Sequence, residues 1–110
     1  MEAIKLAGLE PASVFGYFEE ICAIPHGSYN TKAISDYLVD FAKKNNLRYI
    51  QDDLNNVILF GDATPGYEDH EPVILQGHTD MVCAKTAEST HDFEKDGLKL
   101  KVEDGWISAD

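Results

Sequence analysis

Pro72-Val73-Ile74-Leu75-Gln76-Gly77 is the most informative stretch of this sequence, and His78-Thr79-Asp80 follows it directly. The run is apolar from Val73 to Leu75, shows no alternation, and is bounded by a proline and a glycine. An alternating pattern would indicate a strand with one face in solvent, whereas a continuous apolar run is typical of a strand buried on both faces. We therefore expect a central strand in a sheet that helices cover.

Two helices are predicted before this strand. An apolar stripe at helical spacing predicts an amphipathic helix over residues 11–23 with the stripe facing inward, formed by Val14, Phe15, Phe18, Ile21 and Cys22. A second apolar double row predicts a helix from Thr31 to about Asn46, and its members are Ala33, Ile34, Tyr37, Leu38, Phe41 and Ala42. Between the helices, Pro25 and Gly27 indicate a loop.

Four shorter strands are predicted on either side of the central one. Leu47–Gln51 and Val57–Phe60 are separated by a polar turn, and Leu98–Val102 and Trp106–Ser108 flank a hairpin turn at residues 103–105. Two helices followed by a mixed set of strands indicate an α/β layered fold. A central strand needs cover on both faces, and no helix follows the last strand. We therefore expect this chain to be the front end of a longer protein.

Composition excludes several classes of protein. The 110 residues carry 9 basic and 20 acidic side chains, a formal net charge of −11, so the chain would repel phosphate backbones and anionic lipid headgroups. We expect neither nucleic acid nor membrane as a partner. Nothing in the chain is apolar enough to span a bilayer, and the first ten residues do not resemble a signal peptide. The two cysteines form no disulfide framework, which favours the cytoplasm.

His78 and Asp80 are the strongest candidates for chemistry. They follow a predicted buried strand, and ligand sites in open α/β sheets usually form at strand ends. Two residues apart in an extended segment, the imidazole and the carboxylate project to the same side, so Asp80 can hold one ring nitrogen while the other binds a metal. The tripeptide pattern alone favours a surface histidine that happens to lie near an aspartate, and its place after the predicted buried strand makes the two interpretations equally compatible with the sequence.

The remaining histidines and cysteines are weaker candidates. We expect His26 to be solvent-facing or bonded to the backbone, His70 to be solvated, and His91 to be capable of approaching the His78 loop without any spacing that requires it. Cys83 is either a soft metal ligand or, more commonly for this residue type, a small buried hydrophobe. Cys22 lies on the predicted core stripe and is expected to be inert.

Several segments together resemble the aminoacyl-histidine (Xaa-His) dipeptidases, which are carnosinase-like co-catalytic zinc peptidases. The matching segments, in order, are residues 24–28, 53–57, 73–82 and 91–96, and the resemblance runs from about Leu9 to Asp110. Gly97 stands where this resemblance leads us to expect proline. The implied fold is α/β, with the whole chain, residues 1–110, forming the N-terminal portion of a mixed-sheet layered zinc-peptidase catalytic domain.

The resemblance also implies a chemistry. His78 matches a ligand of one of two zinc ions, and Asp80 matches the active-site carboxylate that orients it. The implied reaction is hydrolysis of Xaa-His dipeptides of the carnosine type by a zinc-activated water. Beyond residue 110 we expect the family's metal-bridging aspartate, its general-base glutamate and its remaining metal ligands. The family's lid or dimerisation domain, through which a homodimer would form, is also expected there. We therefore expect the chain alone to be inactive.

Two rival interpretations stay open. One is a non-catalytic, acidic α/β interaction module in which the His78–Asp80 pattern is incidental. The other is a sister amidohydrolase on the same fold, such as an aminoacylase or a tripeptidase. The residues at hand give neither the side-chain preference nor the native metal.

Overall fold

The structure, a computed structural model, describes residues 6–109, and it contains helices and small antiparallel sheets. The helices are α1 (Ala12–Cys22) and α2 (Lys32–Lys44), and the strands are β1 (Arg48–Gln51), β2 (Val57–Phe60), β3 (Leu100–Glu103) and β4 (Trp106–Ala109). The predicted α/β class is confirmed. The strands pair as β1 with β2 and as β3 with β4, so the described residues form two antiparallel pairs and no mixed sheet. No helix within residues 6–109 is long and apolar enough to cross a membrane.

The chain divides into two compact units, of which the first runs to Ile34 and resumes at Asp80. Its core consists of Leu6, Cys22 and Leu100, with Leu9, Phe15, Leu98 and Ile107 packed against them. Only part of the predicted α1 stripe faces this core: Cys22 is buried, whereas Val14 and Phe18 are exposed. Burial raises the pKa of the Cys22 thiol, and the Glu19 carboxylate adds to the effect, so the thiol stays protonated and unreactive.

The end of α1 lies against the loop before β3. The Leu98 amide donates a hydrogen bond to the Cys22 carbonyl at 2.7 Å. At Gly97 an added Cβ would overlap the Ala23 carbonyl oxygen and lie only 2.7 Å from the Ala23 carbonyl carbon. Close packing therefore requires glycine at this position, because the backbones at Gly97 and Ala23 approach more closely than any side chain would allow.

The second unit, Ser35–Thr79, contains the β1–β2 hairpin and most of α2. The α2 helix buries Ile34, Ser35, Val39 and Ala42, a stripe shifted by about one residue from the predicted double row. At the end of β1, the Gln51 side-chain amide donates to Ser35 Oγ at 2.8 Å and to Asp36 Oδ1 at 3.0 Å. These bonds satisfy the buried serine hydroxyl and tie the hairpin to the helix.

The predicted hairpin turn at residues 103–105 is confirmed. Glu103 pairs with Trp106, and the two residues between them, Asp104 and Gly105, have φ angles of 50° and 79°. Positive φ at both central positions matches a type I′ turn, whose twist suits antiparallel strands. The side chain of Trp106, the first residue of β4, is 77% exposed.

The prediction of a buried central strand at residues 72–77 is wrong in the described structure. The segment belongs to no sheet, and Val73, Ile74 and Leu75 are 84%, 87% and 94% exposed. A strand acquires a buried environment only when other strands flank it and other layers cover its faces. Residues 6–109 provide this segment with neither.

The β1–β2 turn is organised by one carboxylate. Asp52 Oδ1 accepts the amides of Leu54 and Asn56, both at 2.9 Å, and Asp52 Oδ2 accepts the Asn56 side-chain amide at 2.8 Å. The Asn56 side chain is the largest cause of a lowered Asp52 pKa, and the backbone amides of Asn56 and Leu54 lower it further, because all of them favour the charged form.

We expect the hairpin to weaken in acid. A carboxylate whose pKa is lower in the folded state stabilises the fold above its unfolded pKa of about 3.9, and that contribution is lost as the pH falls through the folded value. Hydrogen exchange of the β1 and β2 amides, measured from pH 6 downward, should show protection falling in this window. Asp52→Ala should remove this pH dependence, whereas Asp53→Ala should keep it. An unchanged profile in Asp52→Ala would contradict this assignment.

Candidate functional site

The candidate site is built where two distant segments of the first unit meet. The loop after α1 and the segment that begins at Asp80 are joined by a parallel β-bridge between Gly27 and Met81. The Met81 amide donates to the His26 carbonyl at 3.0 Å, and the Ser28 amide donates to the Met81 carbonyl at 2.9 Å. The backbone on both sides of the bridge is therefore held by hydrogen bonds.

Asp80 is fixed by a side chain that the sequence analysis did not single out. Ser28 Oγ lies 2.8 Å from Asp80 Oδ2 and 3.2 Å from the Met81 carbonyl oxygen. Because both neighbours accept, the hydroxyl is the donor, and the carboxylate is the stronger acceptor. Asp80 is partly buried. A hydrogen bond to a charged acceptor is shorter and stronger than one between neutral groups, so this bond holds the carboxylate in one orientation.

Gly27 explains how the two segments approach so closely. The residue is buried, and a Cβ placed on it would overlap the Sγ atom of Cys83. Cys83 itself is exposed, so the expectation of a small buried hydrophobe at this position is wrong. Its thiol lies over the glycine in the space that a side chain at position 27 would fill.

His78 lies in the second unit, at the end of the exposed segment 72–77, and its side chain is exposed. His78 has an interaction of its own and is not without a partner. An accessible imidazole two residues before a hydrogen-bonded carboxylate is a suitable nitrogen ligand for zinc. Within residues 6–109, however, no group of three or more histidine, cysteine, aspartate or glutamate side chains is placed to hold a metal ion. His78 fits zinc as one ligand of a centre that other residues must complete.

The other histidines have structural partners. His26 Nδ1 lies 2.7 Å from the Ile24 carbonyl oxygen, and because a carbonyl only accepts, Nδ1 carries the proton. This confirms the expectation of a backbone-bonded residue. His70 is exposed, as predicted, beside the Tyr67 ring.

His91 is only 8% exposed and packs edge-on against the Phe93 ring, with 4.7 Å between ring centroids. The Lys85 ammonium donates to the His91 carbonyl at 2.6 Å. These contacts account for His91 as a packing residue within the first unit.

The chain is similar to known dipeptidases. It is 35% identical over 105 residues to the cytosol non-specific dipeptidase of Escherichia coli K12, covering 96% of this chain and 22% of that protein. The structure superimposes on the crystal structure of aminoacylhistidine dipeptidase from Vibrio alginolyticus with a TM-score of 0.88 and 34% identity, covering 99% of this chain and 22% of that one. No protein-family model matches the chain.

These similarities confirm the resemblance to the aminoacyl-histidine dipeptidases. They extend over nearly the whole chain, and the fold is that of the N-terminal part of a peptidase domain. The chain spans about a fifth of the length of both relatives, and both carry the name of a dipeptidase.

Proposed function

We propose that the protein carrying this chain hydrolyses dipeptides of the Xaa-His type, and that residues 1–110 form the N-terminal portion of its catalytic domain. The observation that supports this proposal most strongly is the 0.88 TM-score to a solved aminoacylhistidine dipeptidase over 99% of the chain. The rival interaction module has no comparable support. Cytoplasmic location is part of the proposal, and it draws on two free cysteines and on a relative described as cytosolic.

In this proposal His78 and Asp80 have distinct roles. His78 supplies an imidazole nitrogen to one of two zinc ions, and Asp80 holds the imidazole in the orientation and tautomer that a ligand needs. Zinc, when bound, would lower the pKa of water towards ~7 and would polarise the scissile carbonyl. The general base and the remaining ligands come from residues outside this chain.

The test is hydrolysis by the full-length protein. We expect it to cleave β-Ala-His and α-linked Xaa-His dipeptides, to lose activity in a chelator, and to regain activity with zinc. A panel of dipeptides without histidine decides between narrow and broad specificity, since one relative is named a non-specific dipeptidase. Cleavage only of N-acyl amino acids or of tripeptides would instead indicate a sister amidohydrolase.

The 110-residue chain alone is expected to be catalytically silent and a poor zinc binder. A catalytic zinc site normally has three protein ligands, and this chain offers one imidazole that fits. A calorimetric zinc titration of the isolated chain, combined with an Xaa-His hydrolysis assay, measures both properties. Tight stoichiometric binding with metal-dependent hydrolysis would contradict the proposed division of the site between this chain and the rest of the protein.

A further inference from the structure

The hydrogen bond between Ser28 and Asp80 joins two residues that lie 52 positions apart in the sequence. A carboxylate on a short side chain rotates about two bonds, and one hydrogen bond of 2.8 Å to Oδ2 restricts both rotations. The side chain that donates this bond is itself placed by the Ser28 amide, which is bonded to the Met81 carbonyl. Both partners therefore lie on backbone that the β-bridge holds in place.

The hydroxyl of Ser28 is not needed to hold the two segments together. Three other features connect them: the Ser28 amide bond, the Met81 amide bond to His26, and the close contact of Gly27 with Cys83. All of these remain when the hydroxyl is removed. The shorter contact of the Ser28 hydroxyl is with the Asp80 carboxylate, at 2.8 Å against 3.2 Å to the Met81 carbonyl oxygen, whereas the Ser28 amide is one of the bonds that join the two segments.

We infer that Ser28 is a positioning residue for the proposed reaction. It binds Oδ2 of Asp80 and so restricts the rotation of the carboxylate to which the proposed function gives the task of orienting a zinc ligand, and the hydroxyl thereby contributes to zinc affinity. This inference rests on the proposed function, because it needs Asp80 to orient a zinc ligand. The chemistry is an O–H···O⁻ bond, which is short and strong because its acceptor is charged.

The experiment uses the full-length protein, four variants of the Ser28–Asp80 pair, the ligand variant His78→Ala and one control. Ser28→Ala removes the hydroxyl, Ser28→Thr keeps it, Asp80→Ala removes the carboxylate, and the double variant removes both. Ser89→Ala is the matched control, because Ser89 is also a loop serine of the first unit, and its hydroxyl accepts the His91 amide at 3.2 Å. Zinc affinity is measured by competition with a chelating dye, and kcat and KM are measured with an Xaa-His dipeptide.

Ser28→Ala is expected to weaken zinc binding by ~10–100-fold, the usual effect of removing a residue that supports a metal ligand. Threonine should restore nearly parental affinity, and the Ser89 control should bind zinc normally. In the Asp80→Ala background, removal of the Ser28 hydroxyl should have no further effect, because a residue that acts only through Asp80 has nothing left to position. Thermal unfolding of the zinc-free proteins should differ little between Ser28→Ala and parent.

Several results would overturn the inference. Unchanged zinc affinity in Ser28→Ala, failure of threonine to restore affinity, or additive losses in the double variant would each show that Ser28 does not act through Asp80. If Asp80→Ala and His78→Ala lose zinc while Ser28→Ala does not, the proposed function stands and only the role of Ser28 fails. If none of these variants alters zinc binding, the proposed function itself fails.

Discussion

Replacement of His78 by alanine is expected to abolish most dipeptide hydrolysis by the full-length protein and to release zinc. The imidazole is exposed at the end of segment 72–77, two residues before the fixed Asp80, and it is the nitrogen to which the proposal assigns zinc. Loss of a direct ligand should exceed the ~10–100-fold cost of changing a residue that only supports one. Metal analysis of the purified variant, together with turnover of an Xaa-His dipeptide, measures the effect.

His70→Ala is a suitable control for this prediction. His70 is another exposed histidine of the second unit, and its ring contacts Tyr67 rather than the candidate site. It should retain both zinc and activity. Two tightly held zinc ions and normal turnover in His78→Ala would show that the ligand has been assigned wrongly.

Gly97→Ala is expected to destabilise the protein by about 1–3 kcal/mol or more, the usual cost of forcing extra atoms into a packed position. The added methyl would overlap the carbonyl oxygen of Ala23, and backbone atoms cannot move aside as a flexible side chain can. Relief requires the end of α1 to separate from the Leu98 amide that it binds. Thermal or denaturant unfolding of the variant and its parent gives the difference in the free energy of unfolding.

The same substitution at Gly16 is the matched control and should have the opposite sign. Gly16 lies inside α1, and an added Cβ there meets nothing within 4 Å. Alanine in a helix interior is favoured over glycine by roughly 0.5–1 kcal/mol, so Gly16→Ala should stabilise the protein. Equal effects of the two substitutions would show that the contact with Ala23 does not limit position 97.

Local patterns predicted the local elements well. The apolar double row indicated a helix from Thr31 to about Asn46, and α2 spans Lys32–Lys44. The two hairpins were also predicted to within about two residues, because apolar and turn residues within a few positions determine such elements. The prediction of a buried strand at residues 72–77 was wrong for a different reason. An apolar run indicates a buried strand only if neighbouring strands and covering layers surround it, and residues 6–109 provide neither for this segment.

The site was predictable only in part. His78 and Asp80 are neighbours in the sequence, so their pairing was visible as a pattern. Ser28 was missed because its partner lies 52 positions away, and no local period connects a loop serine with a distant aspartate. The signal that was available is a Pro-Gly loop ending in serine, which is too common to single out a residue.

The bridge between Gly27 and Met81 also indicates where the protein tolerates engineering. Ser28 and Met81 lie 53 positions apart, and the chain between them includes α2, β1, β2 and the exposed segment that follows β2. Lengthening a flexible surface segment costs little, because the entropy of loop closure grows only with the logarithm of the loop length, by about 0.6 kcal/mol for each doubling. The exposed turn at Pro65 and Gly66, where the Tyr67 amide bonds the Thr64 carbonyl, is therefore a favourable place for an epitope or a fluorescent reporter.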